Sequence, residues 1–108
     1  MWLCALIAKL EKEPDRMVVR GFNHPHSYRG YYDRLAFAPA SNVSIRSMLA
    51  CAREANGATY QGYKGGEYEM GDLTDCYLAS YGNTGDELSA ALLDYMLHDS
   101  RPWGEETR

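Results

Sequence analysis

A chain of 108 residues, 45% hydrophobic and 24% charged, has the length of one domain and the composition of a folded globule, not of a disordered segment. No apolar run approaches the ~20 residues a membrane-spanning helix needs, and a net charge of −4 has the wrong sign for a general binder of long nucleic acid. Three widely spaced cysteines, Cys4, Cys51 and Cys76, lack any C-x-x-C spacing; an odd number without an export signal fits reduced thiols in a cytoplasm, packed as small buried hydrophobes.

In chain order, Met1 to Ala8 has no basic region before it and charges follow at once, so it reads as a helix face and not as a signal peptide. Leu3, Leu6, Ile7 and Leu10 recur at helical spacing, predicting a short amphipathic helix over residues 2–12 that Pro14-Asp15 ends. Met17 to Phe22 is rich in strand formers, and Asn23 to Ser27 carries turn chemistry. A second strand is expected from Tyr31 to Ala38, closed by Pro39. Ser44 caps the second helix, with Val43 and Met48 placed as a hydrophobic staple and Gly57 at the exit. Residues 58–63, 67–70 and 73–79 predict short strands, with Gly65-Gly66 and Gly71-Asp72 allowing reversals. Thr84-Gly85-Asp86-Glu87 has the form of a capping box opening a third helix, whose stripe is Leu88, Leu92, Tyr95 and Met96. Tight connections favour an α+β fold: a small antiparallel sheet packed with about three helices in a single domain over residues 1–98, followed by a flexible tail over 99–108.

Charge is uneven along the chain. Residues 16–64 carry seven basic side chains against Asp33 and Glu54, whereas residues 65–108 carry Arg101 and Arg108 against ten acids. That asymmetry suits a localised anion site, or subunits that meet plus to minus.

Two stretches stand out. HSYRGYY (His26 to Tyr32) and YQGYKGGEY (Tyr60 to Tyr68) each set one cation beside glycine and flank it with tyrosines. An anion needs a guanidinium fork or an ammonium together with backbone N–H groups that can approach closely, and Arg29-Gly30 and Lys64-Gly65-Gly66 each supply both. Tyrosine adds a face for a base, worth about 1–3 kcal/mol per stacked base. Eight of the nine tyrosines fall between Tyr28 and Tyr81. The packing explanation stands beside this one: strand tyrosines cover half-buried sheets, Arg29-Gly30 is a turn, and Lys64 to Glu67 a hairpin with a solvated lysine. Neither stretch matches a Walker A or dinucleotide-binding glycine pattern.

Other chemistries are weaker. His24 and His26 span a proline turn without a third ligand at fixed distance, a poor metal signature, and His98 suits the negative end of the third helix. Ser27 beside His26 is adjacency and not a triad. Asp75 beside Cys76 opposes a thiolate. Glu67, Glu69, Asp72 and Asp75 read by default as exposed strand and turn carboxylates. Composition and motifs therefore point away from an enzyme and require no cofactor.

The segments GFNHPHSYRGYYDRLAF (Gly21 to Phe37) and GATYQGYKGGEYEMGDLTD (Gly57 to Asp75), with the Leu-Leu-rich third helix, resemble the anti-Thoeris signal sponges of bacteriophages, over roughly Leu3 to Leu97. The resemblance implies a non-cleaving protein that sequesters cyclic nucleotide immune signals, chiefly cyclic ADP-ribose isomers and in some members cyclic oligonucleotides. It implies a homo-oligomer, a dimer or a higher symmetric assembly such as a hexamer, with ligands lying between subunits, in the cytoplasm of the infected bacterial host. By the same resemblance the ligand-binding set is Tyr28, Arg29, Gly30, Tyr31, Lys64, Gly65, Gly66 and Tyr68, with Arg29 pairing a phosphate and Tyr68 stacking. Arg34 is a weaker candidate, on the strand face away from the expected site, and Arg20 is not assigned to a side. The alternatives are a small cyclic-nucleotide phosphodiesterase using His24, His26 and a carboxylate, or a protein–protein inhibitor module whose tyrosines form an interface.

Overall fold

A computed structural model of the chain describes residues 1–30, 34–61, 66–80 and 85–98. The elements in order are α1 (Leu3–Glu11), β1 (Met17–Ser27), a turn at Tyr28–Gly30, β2 (Arg34–Ser44), α2 (Ile45–Ala55), β3 (Thr59–Gln61), β4 (Glu67–Glu69), β5 (Asp75–Leu78), β6 (Asp86–Glu87) and α3 (Ala90–His98). The fold is α+β: among the described residues it has three helices, a four-stranded sheet in the order β1-β2-β5-β6, and a separate β3-β4 hairpin. The expected tail over 99–108 lies outside the described residues.

The four-stranded sheet is mixed. β1/β2 and β5/β6 pair antiparallel, but β2 and β5 run parallel, with Arg34 to Phe37 opposite Asp75 to Leu78. A parallel pair needs a long crossover, and α2 with the β3-β4 hairpin provides it. Local turn signals hide this pairing because the two strands are not consecutive.

One face of the sheet holds the core. Leu35 and Phe37 of β2, Cys76 and Leu78 of β5, and Val18 and Phe22 of β1 alternate inward. They meet the α1 stripe Leu3, Leu6 and Leu10, the α2 stripe Ile45, Met48 and Ala52, and Leu93, Met96 and Leu97 of α3. Each such side chain contributes about 1.5–3 kcal/mol by leaving water. The rings of Phe22 and Phe37 lie with centroids 4.4 Å apart. Lys9–Asp94 at 2.9 Å joins α1 to α3 and Arg53–Glu11 at 2.6 Å joins α2 to α1; both pairs are solvent-exposed and contribute little to stability.

Several boundaries differ from the sequence expectation, each for a local reason. The turn expected at Asn23 to Ser27 is strand: β1 continues through it by bulging at His24, whose φ of 46° takes up the extra residue between Asn23 and Pro25. Pro39 does not close β2, because β5 pairs only as far as Phe37 and a proline nitrogen is tolerated at the strand's open edge beyond it. The box at Thr84 to Glu87 does not open α3. Asp86 and Glu87 pair with β5 instead, and α3 starts five residues later than the box implies, where the Ser89 hydroxyl accepts the Leu92 N–H at 3.1 Å. The stripe of α3 shifts with it, leaving Tyr95 exposed. The start of α2 is as expected, with Ser44 Oγ accepting the Ser47 N–H at 3.0 Å, and Gly57 follows its end at φ 87°.

Candidate functional site

The face of the sheet turned away from the core carries the polar and aromatic residues that alternate with it. Register places His26, Ala36, Tyr77 and Glu87 in one row across β1, β2, β5 and β6. Beside it runs a second row, Arg34 on β2, Asp75 on β5 and Trp2, which bridges antiparallel to Asp75. Tyr77 is central. The Tyr28 ring lies parallel to it, centroids 4.0 Å apart and planes within 8°, and the Arg34 guanidinium lies 5.9 Å from its centroid. Burial pushes the Tyr77 phenol above its usual value, opposed by Arg34 and reinforced by Glu87, Asp75 and Tyr28, so the ring is neutral near pH 7.

Tyr28 reaches this position because β1 ends at Ser27 and the chain turns at once. Its ring is 7% exposed and covers Ala36 and Ala79, whose small side chains leave room for it. Its hydroxyl is 3.5 Å from the Gly85 N–H, which donates. The next residue, Arg29, is exposed and has φ 49°, ψ 27°, a left-handed conformation that an arginine adopts at a cost of about 1 kcal/mol. Among the described residues no carboxylate pairs with Arg29. Arg16, Arg46 and Arg53, by contrast, pair with Glu13, Asp15 and Glu11 on the helical side.

A cleft of about 340 Å³ adjoins the second row. Tyr68, Glu69, Gly71, Leu73, Thr74 and Asp75 line it. Its back wall is tied down: the Gly71 N–H donates to Thr74 Oγ1 at 2.8 Å, the Thr74 N–H to the Gly71 carbonyl at 3.1 Å, and Asn56 Nδ2 to Asp72 Oδ1 at 2.8 Å. Trp2, at the N-cap of α1, makes no side-chain cap bond, so the first N–H groups of the helix need other acceptors. Those of Leu3 and Cys4 find the carbonyls of Thr74 and Asp72 at 2.9 and 3.0 Å, which fixes this loop against the helix. Asp75 belongs both to the cleft and to the Arg34 row, so cleft and aromatic ladder form one continuous surface.

The sequence-derived candidates fall into three groups. Tyr28, Arg29 and Gly30 form the turn over the ladder, and Tyr68 lines the cleft, 39% exposed on β4 opposite Tyr60. Gly66 is exposed just before β4. Tyr31, Lys64 and Gly65, and with Lys64 the expected meeting of the two cations, lie outside the described residues. Arg34, placed by the sequence on the far face, shares the face of Tyr77, and Arg20 takes the opposite side. Its guanidinium is fully buried over the Tyr95 ring of α3, 4.7 Å from the centroid, and belongs to the helical layer. His26 Nδ1 lies 2.8 Å from the His24 carbonyl, within the β1 bulge. Burial, opposed by the terminal ammonium and reinforced by Asp75 and Cys4, pushes the Cys76 thiol up to about 12, which keeps it protonated at neutral pH.

Sequence reasoning missed Tyr77 and did not join Glu69 and Asp75 to an aromatic surface. The signal was present in the alternation of Asp75-Cys76-Tyr77-Leu78, which sends Cys76 and Leu78 inward and the other two outward. Among the described residues no helix is long and apolar enough to cross a membrane. Comparison with protein-family models, with curated proteins and with solved structures gives no match, so the functional reading of this chain rests on its own residues.

Proposed function

We propose that the protein binds a small cyclic nucleotide signal tightly and without cleaving it, the role that the sponge-like segments imply. The observation that carries the reading is the ladder of Tyr28, Tyr77 and Arg34 beside an exposed, left-handed Arg29. The Tyr77 ring, backed by the packed Tyr28 ring and set next to guanidinium groups, suits a ligand that joins bases to phosphates. The strain at Arg29 also supports a functional role, since a glycine there would relax the turn but forfeit the cation. In this reading the protein is a homo-oligomer, a dimer or a higher assembly such as a hexamer, acts in the cytoplasm of an infected bacterium, and takes cyclic ADP-ribose isomers or cyclic oligonucleotides as its ligands.

Sequestration sets a demanding threshold. Depleting a signal present at micromolar levels requires a Kd of nanomolar or below, about −12 kcal/mol. One exposed arginine cannot supply that, whereas two phosphates, stacked bases and closure by a neighbouring subunit can. The test is a thermal-shift screen of the protein against cyclic ADP-ribose isomers and cyclic diribonucleotides, followed by calorimetry and recovery of the ligand after denaturation. A nanomolar binder is stabilised by several degrees and returns its ligand intact. Arg29→Ala weakens binding by about 1.5–3 kcal/mol, the loss expected for a charge-assisted hydrogen bond. A panel in which no member raises the melting temperature overturns the reading, and recovery of a linear product replaces it with a phosphodiesterase.

A further inference from the structure

We infer that the cleft beside Tyr68 holds the hydroxyl-bearing sugar end of the ligand, with Glu69 and Asp75 accepting hydrogen bonds from it, while the phosphates lie toward Arg34 and Arg29. The inference rests on the nucleotide-binding reading above and adds a polarity to it. The cleft, at about 340 Å³, is at the small end of small-molecule sites. Among the described residues its lining holds two carboxylates and no cation, a set that disfavours a phosphate. Ionised carboxylates only accept hydrogen bonds, and what they can hold are O–H and N–H donors. A ribose offers hydroxyl donors, the groups that acidic side chains engage in dinucleotide-binding folds. Tyr68 supplies a ring at one wall, and Leu73, 66% exposed, an apolar lip.

Geometry links this subsite to the cations. Asp75 stands in register with Arg34 on the adjacent strand, and neighbouring strands are about 4.8 Å apart, the scale that separates a ribose from its own phosphate. The hydrogen bonds at Thr74, Asp72 and Gly71 hold the wall before any ligand arrives, so little ordering is required on binding.

The two roles open to the acids have opposite signs. If Glu69 and Asp75 merely stand near the phosphates, neutralising them tightens binding. If they accept from sugar hydroxyls, neutralising them weakens it. The experiment is calorimetry on the full chain with the panel member that gave the largest shift in the screen above, each of which carries ribose hydroxyls, and with inorganic pyrophosphate as a phosphate-only probe. Glu69→Gln and Asp75→Asn are each expected to lose about tenfold or more in affinity for the nucleotide and to hold pyrophosphate as well as, or better than, the wild type. Arg29→Ala weakens both probes. Glu69 is exposed on a short strand, so its variant reads the idea even if Asp75→Asn lowers the melting temperature. Wild-type affinity, or tighter, for the nucleotide in both amide variants overturns the inference while leaving the nucleotide reading intact; a wild-type protein that binds no panel member overturns both.

Discussion

Replacing Tyr28 separates the work of its ring from that of its hydroxyl. The ring is almost fully buried, lies over Ala36 and Ala79, and stacks on Tyr77 at 4.0 Å. Truncating a buried aromatic to alanine costs about 3–5 kcal/mol, of which the stacked geometry accounts for about 0.5–1.5 kcal/mol. In a domain of this size each kcal/mol lowers the melting temperature by about 4 °C, so Tyr28→Ala falls by about 12–20 °C. Tyr28→Phe keeps the ring and forfeits the contact with the Gly85 N–H, which at 3.5 Å is at the outer limit of a hydrogen bond. That loss is under ~1 kcal/mol, or within about 4 °C. Thermal unfolding followed by circular dichroism, with urea denaturation at 25 °C, reads both variants, and calorimetry with the panel nucleotide that most stabilises the wild type reads the candidate site. The Phe variant keeps wild-type affinity because the packed ring, and not the hydroxyl, holds Tyr77 and the Arg29 turn. A Tyr28→Ala protein that melts with the wild type yet no longer binds refutes this, since the ring would then be ligand surface and not packing.

Two further outcomes test the framework around the site. The Cys76 thiol titrates near 12 in the folded chain against 9.0 unperturbed. Between those values the unfolded state has lost a proton that the folded state keeps, so stability falls as pH rises from about 9 to 12, by up to about 4 kcal/mol. Denaturation midpoints of Cys76→Ala decline less over that window, and parallel profiles for the two proteins refute the assignment. Gly85→Ala places a methyl 2.0 Å from the Leu78 carbonyl oxygen and 2.6 Å from Ala79 Cβ. Backbone cannot yield as a flexible side chain does, so the cost is at least about 1–3 kcal/mol, read as a lowered urea midpoint; an unchanged midpoint refutes the close approach.

What the sequence disclosed divides along a physical line. Signals confined to one turn of chain were legible: the stripe of α1, the Ser44 cap and the Gly57 exit each depend on residues within four positions. Signals decided by distant partners were not. The box at Thr84 to Glu87 is a sound helix start taken alone, yet Asp86 and Glu87 meet β5 and Gly85 is held against Leu78 and Ala79, which postpones the helix to Ser89. Asn23 to Ser27 has turn chemistry, yet pairing with β2 on both sides of His24 converts the turn into a bulge. The candidate site follows the same rule. Tyr28 and Arg29 could be read from their neighbours, whereas Tyr77, Arg34 and Asp75 join them only through the parallel β2/β5 pairing.

The uneven charge of the chain takes a different meaning once folded. Among the described residues, the cations of residues 16–64 do not gather into a basic patch. Arg16, Arg46 and Arg53 are matched by carboxylates on the helical side, and Arg20 is buried beneath α3. Arg34 stands on the outer face of the sheet, with Arg29 exposed in the turn that overlies it, and the acids of the later segment come to the same surface as Glu69, Asp75 and Glu87. Arg34 and Asp75 stand on adjacent strands, one spacing of about 4.8 Å apart, inside a Debye length of about 8 Å. A long polyanion laid across this surface would meet a carboxylate for nearly every guanidinium it engaged, and the gain at one phosphate would be lost at the next. A short ligand with its phosphates at one end and hydroxyl donors at the other suffers no such cancellation, because each end meets the sign it needs.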